Sequence, residues 1–599
     1  MDDQARSGLA VDDPEALAQA VTDIAVRSQR LVTDFMQRQA RERIGPADPL
    51  NVNRAFMDMC VKMMSDPAAM MQASMTLWQD HLGLWQKTAQ RMAGEETKPA
   101  LTPAKDDRRF HDPAWSENEV FNFIKQSYLL TSRWIQETVG AVDGLDPKTS
   151  EKVDFYTRQF VNALSPTNFV MTNPEVLRET IESRGENLLK GLENLLADLE
   201  RGDGSLDITM VDDDAFEVGR NVAVTPGKVV LRNDLAELIQ YSPTTKTVRR
   251  RPLMIVTPWI NKYYILDLRP ENSFIKWAVD QGHTVFIASW VNPDETLADK
   301  TFDDYMLEGP LAAIDAICEI TGEKDINLIG YCIGGTLTAC TLAYMAATGD
   351  DRVKSATFFA SMVDFESPGE LGVFIDDVQL DNLDDSMAAR GYLEGREMAS
   401  AFNMMRDNDL IWSFVVNNYL MGRDPFPFDF LYWNADATRM PAAMHSFYLR
   451  QMYLENKLIE PGGITLAGVP IDLRKIDVPV YIVSTREDHI APWKSTYAAT
   501  QIYSGAVKFV LAASGHIAGI VNPPTPGSKY CHWTNAKNAK TPEGWLEGAT
   551  QQDGSWWPDW DKWVAKHADG KPVAARKPAA GPLKALADAP GTYIKIRST

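Results

Sequence analysis

A cysteine lies in a glycine-rich pattern between a predicted strand and a predicted helix. The sequence Gly-Tyr-Cys-Ile-Gly-Gly at residues 330–335 follows the apolar run 326–329 and precedes the helix-like stretch 336–344. This pattern is typical of a nucleophile elbow, a tight turn that lifts one side chain out of a sheet and needs glycines where backbone segments approach closely. The positive end of the helix dipole also stabilises a thiolate there. The pattern predicts acyl-transfer chemistry with Cys332 as the nucleophile.

A carboxylate and an imidazole follow two later predicted strands. Strand 480–483 leads to Asp488, and strand 508–511 leads to His516. In this type of sheet the acid and the base follow the nucleophile in that chain order, on loops at the carboxyl edge. We therefore expect Asp488 to orient His516, and His516 to take the proton of the Cys332 thiol.

Three residues compete with these assignments. His489 is a rival base, but it directly follows Asp488, and neighbouring loop residues rarely point at the same atom, so a role in supporting the loop is favoured. His532 lies in an irregular segment and is a candidate for lining an entrance or for a surface role. Glu487 competes with Asp488 for the acid role, and the residues alone do not separate the two.

Two backbone N–H groups are candidates for stabilising an oxyanion. The first belongs to Ile333, directly after the cysteine, and the second to the loop 257–261 after the first apolar strand. Pro258 has no N–H, so Trp259 or a later residue must supply the second donor.

The elements around these residues predict an α/β-hydrolase fold with an inserted cap, preceded by a mainly helical N-terminal domain. Fully apolar strands alternating with helices indicate a parallel sheet covered on both faces. We place the helical domain at residues 1–205 and the catalytic domain at 206–599, with an aromatic-rich cap at about 363–473 and a weakly structured tail at 571–589. The predicted strands are 253–256, 284–288, 326–329, 356–360, 480–483 and 508–511.

The N-terminal region contains a predicted helix with an apolar face. It starts at Ser65-Asp66-Pro67, a capping pattern, and a second helix is expected at Ser116, with Glu119 completing a capping box and a loop at 95–104 between the two. The face either packs on the rest of its own domain or docks on an apolar partner or particle. Its residues, spaced three or four apart, are Met71, Met75, Trp78, Leu82, Trp85, Ala89 and Met92.

Composition excludes several classes of function. The 599 residues contain no apolar stretch of membrane-spanning length, and the start of the chain has no secretory signal pattern, so we expect a cytoplasmic protein without a transmembrane segment. A net charge of −22 argues against nucleic-acid binding. The 5 cysteines include no Cys-x-x-Cys pair, and we predict neither a metal nor an organic cofactor.

Long motifs resemble those of the polyhydroxyalkanoate synthases, which polymerise 3-hydroxyacyl-CoA into storage polyester. The resemblance runs from about Asp107 to about Trp560, and Tyr331 and Ile333 in the elbow resemble the class I enzymes rather than the medium-chain class. Besides the elbow, the motifs are Asp107 to Phe110 with Ala114-Trp115, Ser165 to Phe169 with Thr172 to Glu175, Pro258 to Leu268, Arg486 to Ile490, and Ser514 to Gly519.

The resemblance implies an acyltransferase that polymerises short-chain (R)-3-hydroxyacyl-CoA with release of CoA. It also implies that Cys332, Asp488 and His516 are the catalytic triad, with an acyl group carried on the cysteine. The partners it implies are the 3-hydroxyacyl-CoA substrate, the growing polyester, the surface of a polymer granule and a second copy in a homodimer. A cysteine thioesterase or hydrolase and a non-catalytic granule-associated protein are the alternatives.

Overall fold

A computed structural model describes residues 50–104, 107–527 and 530–597, together with Thr22, Val26, Arg27, residues 29–31 and Asp48. They form two compact units, which we call the helical unit (Met1–Asp212 with Phe402–Phe426) and the sheet unit (Asp213–Ala401 with Pro427–Thr599). The part of the predicted N-terminal domain before Asp48 lies largely outside the described residues, and the domain boundary near residue 205 stays a prediction.

Within the described ranges, no helix is both long enough and apolar enough to cross a membrane. The helices of the helical unit that precede residue 212 are α1 (Val52–Ser65), α2 (Pro67–Met92), α3 (Ala114–Glu117), α4 (Glu119–Gly140), α5 (Pro147–Ala163), α6 (Pro174–Glu182) and α7 (Glu186–Arg201).

Helix α2 begins where the sequence predicts, but its apolar face is largely exposed. The Asp66 carboxylate accepts the N–H of Ala69 at 2.9 Å, as an N-cap should. Of the two alternatives for this face, packing within its own domain does not account for most of it, because Trp78 is 71% exposed and Met71, Met75, Leu82 and Met92 are exposed too; the Trp85 ring, although exposed, lies 4.8 Å from that of Phe123 on α4. The opposite face packs on α4, where the Trp134 indole N–H donates to the Ala73 carbonyl at 2.9 Å. Periodicity identified the apolar stripe but not the side that packs.

The predicted start of the second helix is also wrong. Ser116 lies inside the short helix α3, and α4 begins at Glu119 with Asn118 as its N-cap. The Asn118 side chain accepts the N–H groups of Val120 at 3.0 Å and Phe121 at 3.3 Å. An asparagine one residue before the helix satisfies these free N–H groups, so the serine is not needed as a cap. The predicted loop at 95–104 is confirmed.

The middle of the predicted cap belongs to the helical unit. Asn187 Nδ2 donates to the Leu420 carbonyl at 2.7 Å, and Gln159 Nε2 donates to the Met404 carbonyl at 2.9 Å. A Cβ at Gly191 would lie 1.9 Å from the Tyr419 carbonyl oxygen, so this contact requires glycine.

The sheet unit is built on an 11-stranded mixed sheet in the order β15-β14-β13-β12-β7-β6-β4-β5-β2-β1-β17. The six strands from β13 to β5 are parallel, and the edges are antiparallel. The strands of the chain are β1 (Gly227–Arg232), β2 (Ala236–Tyr241), β3 (Thr247–Val248), β4 (Leu253–Val256), β5 (Val285–Trp290), β6 (Ile326–Tyr331), β7 (Val353–Phe359), β8 (Tyr392–Leu393), β9 (Met440–Pro441), β10 (Thr465–Leu466), β11 (Val469–Pro470), β12 (Val480–Thr485), β13 (Val507–Ala512), β14 (Cys531–Thr534), β15 (Thr550–Asp553), β16 (Val573–Ala574) and β17 (Ala587–Asp588).

All six predicted strands are confirmed, and they are the six parallel ones. They were predictable because strands buried on both faces are continuously apolar. The antiparallel edge strands were not predicted: β15, for example, is Thr-Gln-Gln-Asp and fully exposed. In the tail, β17 pairs with β1 at the far edge of the sheet.

The central strands β4, β5, β6 and β12 are buried at every residue, and the cap is inserted between β7 and β12. Helix α11, which follows the candidate nucleophile, is buried on every side, as expected for a helix that is apolar all round. The helices are α8 (Phe274–Asp280), α9 (Phe302–Met306), α10 (Ala312–Thr321), α11 (Ile333–Thr348), α12 (Asp377–Arg390), α13 (Gly395–Met405), α14 (Asp429–Ala435), α15 (Ala442–Phe447), α16 (Trp493–Tyr497), α17 (Ala499–Ile502), α18 (Pro542–Glu547) and α19 (Trp557–Val564), and α13 continues into the helical unit.

Replacing Trp560 by alanine tests how α19 packs in the sheet unit. Trp560 is fully buried, its ring centroid lies 5.2 Å from that of Phe274, and its indole N–H donates to Thr357 Oγ1 at 3.0 Å. We expect Trp560→Ala to destabilise the sheet unit by about 3–5 kcal/mol, because the truncation leaves a large cavity. The measurement is the midpoint of thermal or urea unfolding.

Trp78→Ala is the matched control, because it removes the same side chain from an exposed site and should change stability by less than about 0.5 kcal/mol. Equal losses in the two variants would contradict the described packing.

Candidate active site

Cys332 lies on a strained turn between β6 and α11. Its φ of 51° and ψ of −125° place a non-glycine residue at positive φ, at a cost of about 1–3 kcal/mol that the surrounding structure must offset. The Cys332 N–H donates to the Phe359 carbonyl at 2.9 Å, and its carbonyl accepts the N–H of Gly335 at 2.9 Å. The backbone is therefore fixed on both sides of the thiol.

The glycines of this turn permit very close backbone contacts. A Cβ at Gly330 would lie 2.5 Å from the Gly335 Cα, and one at Gly334 would lie 2.5 Å from the Val256 carbonyl oxygen. Real Cβ atoms do not approach that closely, so these positions require glycine. The turn packs directly on the end of β4, and the elbow geometry predicted from the sequence is confirmed.

Asp488 and His516 meet on the loops that follow β12 and β13. His516 Nδ1 donates to Asp488 Oδ2 at 2.7 Å, and both residues are buried. The carboxylate is held in place because Oδ1 accepts the N–H groups of Ile490 at 3.0 Å and Ala491 at 2.8 Å, while Thr485 Oγ1 donates to Oδ2 at 2.8 Å. The orientation of the imidazole is therefore set by a carboxylate that cannot easily rotate.

The imidazole of His516 also reaches the candidate nucleophile. The Cys332 side chain contributes to the raised pKa of His516, by its charge and as a hydrogen-bond partner, which indicates that the thiol lies beside the imidazole. On its other side the ring of Tyr331 stacks on it, with the centroids 5.7 Å apart, and the Tyr331 hydroxyl donates to the His516 carbonyl at 3.3 Å. The structure thus brings all three predicted side chains together, in the order thiol, imidazole, carboxylate.

The electrostatics of this group favour a charged imidazole. Burial alone would lower the pKa of His516, but the Asp488 carboxylate, the Cys332 side chain and hydrogen bonds to both raise it well above its ordinary value. Burial likewise opposes ionisation of Asp488, yet the charge of His516 and the hydrogen bonds to the carboxylate lower the pKa of that group. A low-dielectric site tolerates two opposite charges when they lie together and are hydrogen-bonded, as they are here.

The rival residues occupy different places. Glu487 is exposed, whereas Asp488 is buried beside the imidazole. The expectations of an irregular segment and of a surface role for His532 are wrong, because it is buried on β14, where its Nδ1 donates to the Gly554 carbonyl at 3.0 Å. His489 is half-buried on the loop that carries Asp488. The geometry therefore separates Glu487 from Asp488, which the sequence did not.

Free backbone N–H groups lie on both segments that the sequence offers as oxyanion donors. In the described part of the chain, no hydrogen bond to a protein acceptor is made by the N–H of Ile333 or, on the loop after β4, by that of Trp259 or Ile260. Ile333 is the first residue of α11 and is buried. Ile260 lies on the loop after β4, whose end packs against Gly334. A pair of free N–H groups is what an oxyanion requires.

Two cap tyrosines near the thiol were not predicted. Burial raises the pKa of Tyr448 and of Tyr453, and the charge at Cys332 contributes to both shifts, which places them near the nucleophile. Their ring centroids are 5.4 Å apart, and that of Phe365 is 4.8 Å from Tyr453. They share a π-helical segment, Tyr448–Leu454, where residues five apart lie on one face. An α-helical pattern search does not pair residues at this spacing.

Two family models match the chain. The model described as the N-terminus of poly-beta-hydroxybutyrate polymerase (PhaC) matches residues 106–278, and the model described as the alpha/beta hydrolase fold matches residues 269–523. The second match confirms the fold class predicted from the sequence.

The chain is similar to curated bacterial proteins over most of its length. It is 53% identical to the poly(3-hydroxyalkanoate) polymerase of Methylorubrum extorquens, over 89% of this chain and 88% of that protein. It is 47% identical to the poly(3-hydroxyalkanoate) polymerase subunit PhaC of Rhizobium meliloti (strain 1021), over 98% and 96% of the two chains. The corresponding subunit of Cupriavidus necator is 44% identical, over 89% of each chain.

The Asp488→Asn variant tests the origin of the His516 charge. Because the carboxylate and its hydrogen bond raise the pKa of the imidazole, removing the negative charge should lower that pKa. In the wild-type chain His516 should hold its proton through neutral pH and lose it only above the ordinary histidine range, whereas in the variant the loss should occur at lower pH. NMR titration of ring-labelled histidine measures both.

Glu487→Gln is the matched control, since it removes a neighbouring exposed carboxylate and should leave the titration unchanged. A His516 titration that is the same in wild type and Asp488→Asn would contradict the assignment.

Proposed function

Since the chain belongs to the poly(3-hydroxyalkanoate) polymerase family, we propose that it polymerises short-chain (R)-3-hydroxyacyl-CoA into polyester through an acyl intermediate on Cys332, with release of CoA. The observation that supports this proposal is a thiol on a nucleophile elbow beside an imidazole that is hydrogen-bonded to a buried carboxylate. His516 acts as the base and acid, and Asp488 orients it and stabilises its charge.

The first half-reaction loads the enzyme. Cys332 reacts as a thiolate, with its proton already held on His516, and the thiolate attacks the carbonyl carbon of the CoA thioester. The N–H groups of Ile333 and Ile260 stabilise the resulting oxyanion. The intermediate collapses with cleavage of the bond to the CoA sulfur, and the imidazolium returns its proton to the departing CoA thiolate. This step cleaves one thioester and forms another, so its free-energy change is close to zero.

The second half-reaction extends the chain. The 3-hydroxyl of a second acyl group attacks the acyl carbon on Cys332, and His516 takes the hydroxyl proton. The carbon–sulfur bond to Cys332 breaks as the ester carbon–oxygen bond forms, which restores the thiolate beside the imidazolium. Conversion of a thioester into an oxoester is downhill and drives growth of the polymer.

The cap supports transfer to a hydroxyl rather than to water. Tyr448, Tyr453 and Phe365 form a buried aromatic group close to the thiol. A site lined in this way excludes water from the acyl enzyme, which a polymerase needs and a hydrolase does not.

The short-chain preference, the homodimer and the attachment to polymer granules are proposed from the class I resemblance, and a cytoplasmic location is proposed alongside them. One feature of the helical unit supports the granule contact. Met75, Trp78 and Trp85 form an exposed apolar face on α2, and flexible thioethers and flat rings adapt well to an apolar polymer surface.

Product analysis with 3-hydroxybutyryl-CoA tests the proposed function. We expect CoA release together with insoluble polyester, and in Cys332→Ala a rate of CoA release at least about 1,000-fold lower, because no residual nucleophile remains. Cys531→Ala is the matched control, since it removes another partly exposed thiol and should leave turnover unchanged.

Soluble 3-hydroxybutyrate as the sole product would show a hydrolase. Full activity of Cys332→Ala would show that the thiol is not the nucleophile, and no turnover by the wild-type chain would favour a non-catalytic granule protein.

Charge substitutions on α2 test the granule contact. We expect the triple variant Met75→Glu, Trp78→Glu and Trp85→Glu to lose binding to isolated polyester granules in a sedimentation assay, because burying charge against an apolar surface is costly. The control is the triple variant Gln72→Glu, Gln79→Glu and Gln86→Glu, which adds the same charge to exposed polar positions of the same helix. Equal binding by both variants would argue against this face as the docking surface.

A further inference from the structure

A buried ion pair joins the end of the cap to the loop that carries the second candidate oxyanion donor. Lys262 Nζ lies 2.6 Å from Asp436 Oδ1, and the two side chains are only 3% and 1% exposed. The Tyr264 hydroxyl donates to Asp436 Oδ2 at 3.0 Å. Burial lowers the pKa of Lys262, while the charge of Asp436 opposes that shift. The cost of removing two charges from water offsets most of their attraction, so the pair contributes little net stability. Such a pair suggests a role in fixing a conformation.

Other hydrogen bonds connect the same two segments. The Trp433 indole N–H donates to the Lys262 carbonyl at 2.7 Å. The Thr438 hydroxyl bonds the Trp259 carbonyl at 2.5 Å and the Ile260 carbonyl at 2.6 Å. Residues 433–438 of the cap thus hold residues 259–262 of the loop by both side chains and backbone.

These contacts determine where the Ile260 N–H points. In a trans peptide the C=O and N–H groups point in opposite directions, and the Trp259 carbonyl shares its peptide plane with the Ile260 N–H. Because the carbonyl faces Thr438, the N–H faces away from the cap segment. The start of the same loop packs on the helix of the nucleophile, where a Cβ at Gly334 would lie 2.6 Å from the Thr257 carbonyl oxygen. The loop is therefore held between the cap segment and the nucleophile turn.

We propose that the Lys262–Asp436 pair is a positioning device, which holds the cap segment 433–438 so that Thr438 fixes the Trp259–Ile260 peptide with its N–H directed at the oxyanion. This inference rests on the proposed function, in that it concerns the same acyl transfer. In the described part of the chain, Lys262, Asp436 and Thr438 make no hydrogen bond or ion pair with Cys332, and they act through the peptide that they hold. Displacing a catalytic group by about 1 Å can lower the rate by about 100-fold, as can the loss of one oxyanion donor.

Two chemical probes of Cys332 separate this role from general support of the fold. Acylation by 3-hydroxybutyryl-CoA passes through an oxyanion, whereas alkylation by iodoacetamide is a displacement at a saturated carbon and forms none. We expect Asp436→Asn to lower the acylation rate constant by about 100-fold, the effect of losing one oxyanion donor, and to leave the alkylation rate unchanged. Rapid quenching and mass spectrometry measure both rates.

Two further variants complete the test. Thr438→Val breaks the same connection without leaving a lone buried charge, so it remains informative if Asp436→Asn does not fold, and it should lower acylation by about tenfold, since the ion pair still holds the segment. The matched control is Asp325→Asn, which removes the partner of Arg251, just before the opposite end of β4, and should change neither rate.

An acylation rate that is unchanged in Asp436→Asn or Thr438→Val would overturn the proposal. So would equal losses of acylation and alkylation, because these would indicate collapse of the site. If 3-hydroxybutyryl-CoA does not acylate the wild-type chain, the proposed function fails instead. The acylation rate is then measured with p-nitrophenyl butyrate, an activated ester that needs the same donors.

Discussion

The hydrogen bond between His516 and Asp488 is the interaction on which the site depends. Its 2.7 Å contact is buried, and a buried carboxylate is tolerated only when it is paired and hydrogen-bonded. Asp488 meets this condition with two backbone N–H groups, the Thr485 hydroxyl and the imidazole. The same pairing keeps the imidazole charged at neutral pH, so a thiolate beside it has a partner. The thiolate, the imidazolium and the carboxylate each depend on the other two, because a lone charge is unfavourable in this buried environment.

The fold supplies this pairing by bringing three strand ends to one edge. Strand β12 is paired in parallel with β13, so the loops carrying Asp488 and His516 leave the sheet side by side. Strand β6 lies between β4 and β7, and its end carries the thiol on a turn at positive φ. Glycine at residues 330 and 334 lets that turn pack against its own helix and against the end of β4. The position of the nucleophile is therefore set by backbone contacts, not by a flexible side chain.

Much of this arrangement could be predicted from the sequence, and the exceptions share a cause. Continuous apolar strands and a glycine-flanked cysteine are local signals, and they located the parallel sheet and the elbow. Which face of α2 is buried depends on which face meets α4, and periodicity does not encode that tertiary contact. The same holds for the segment Phe402–Phe426. It belongs to the helical unit because Gly191 leaves room for the Tyr419 carbonyl and Asn187 donates a hydrogen bond to the Leu420 carbonyl. Tyr453 was missed because its pairing with Tyr448 follows π-helical rather than α-helical spacing.

The central claim is that Cys332 carries the acyl group while His516 accepts and donates the protons of the transfer. Peptide mapping by mass spectrometry after a brief, acid-quenched exposure to 3-hydroxybutyryl-CoA tests it most directly. The account predicts a hydroxyacyl mass increment on the peptide that contains Cys332. An increment on any other residue, or rapid CoA release with no covalent adduct at any time, would contradict it.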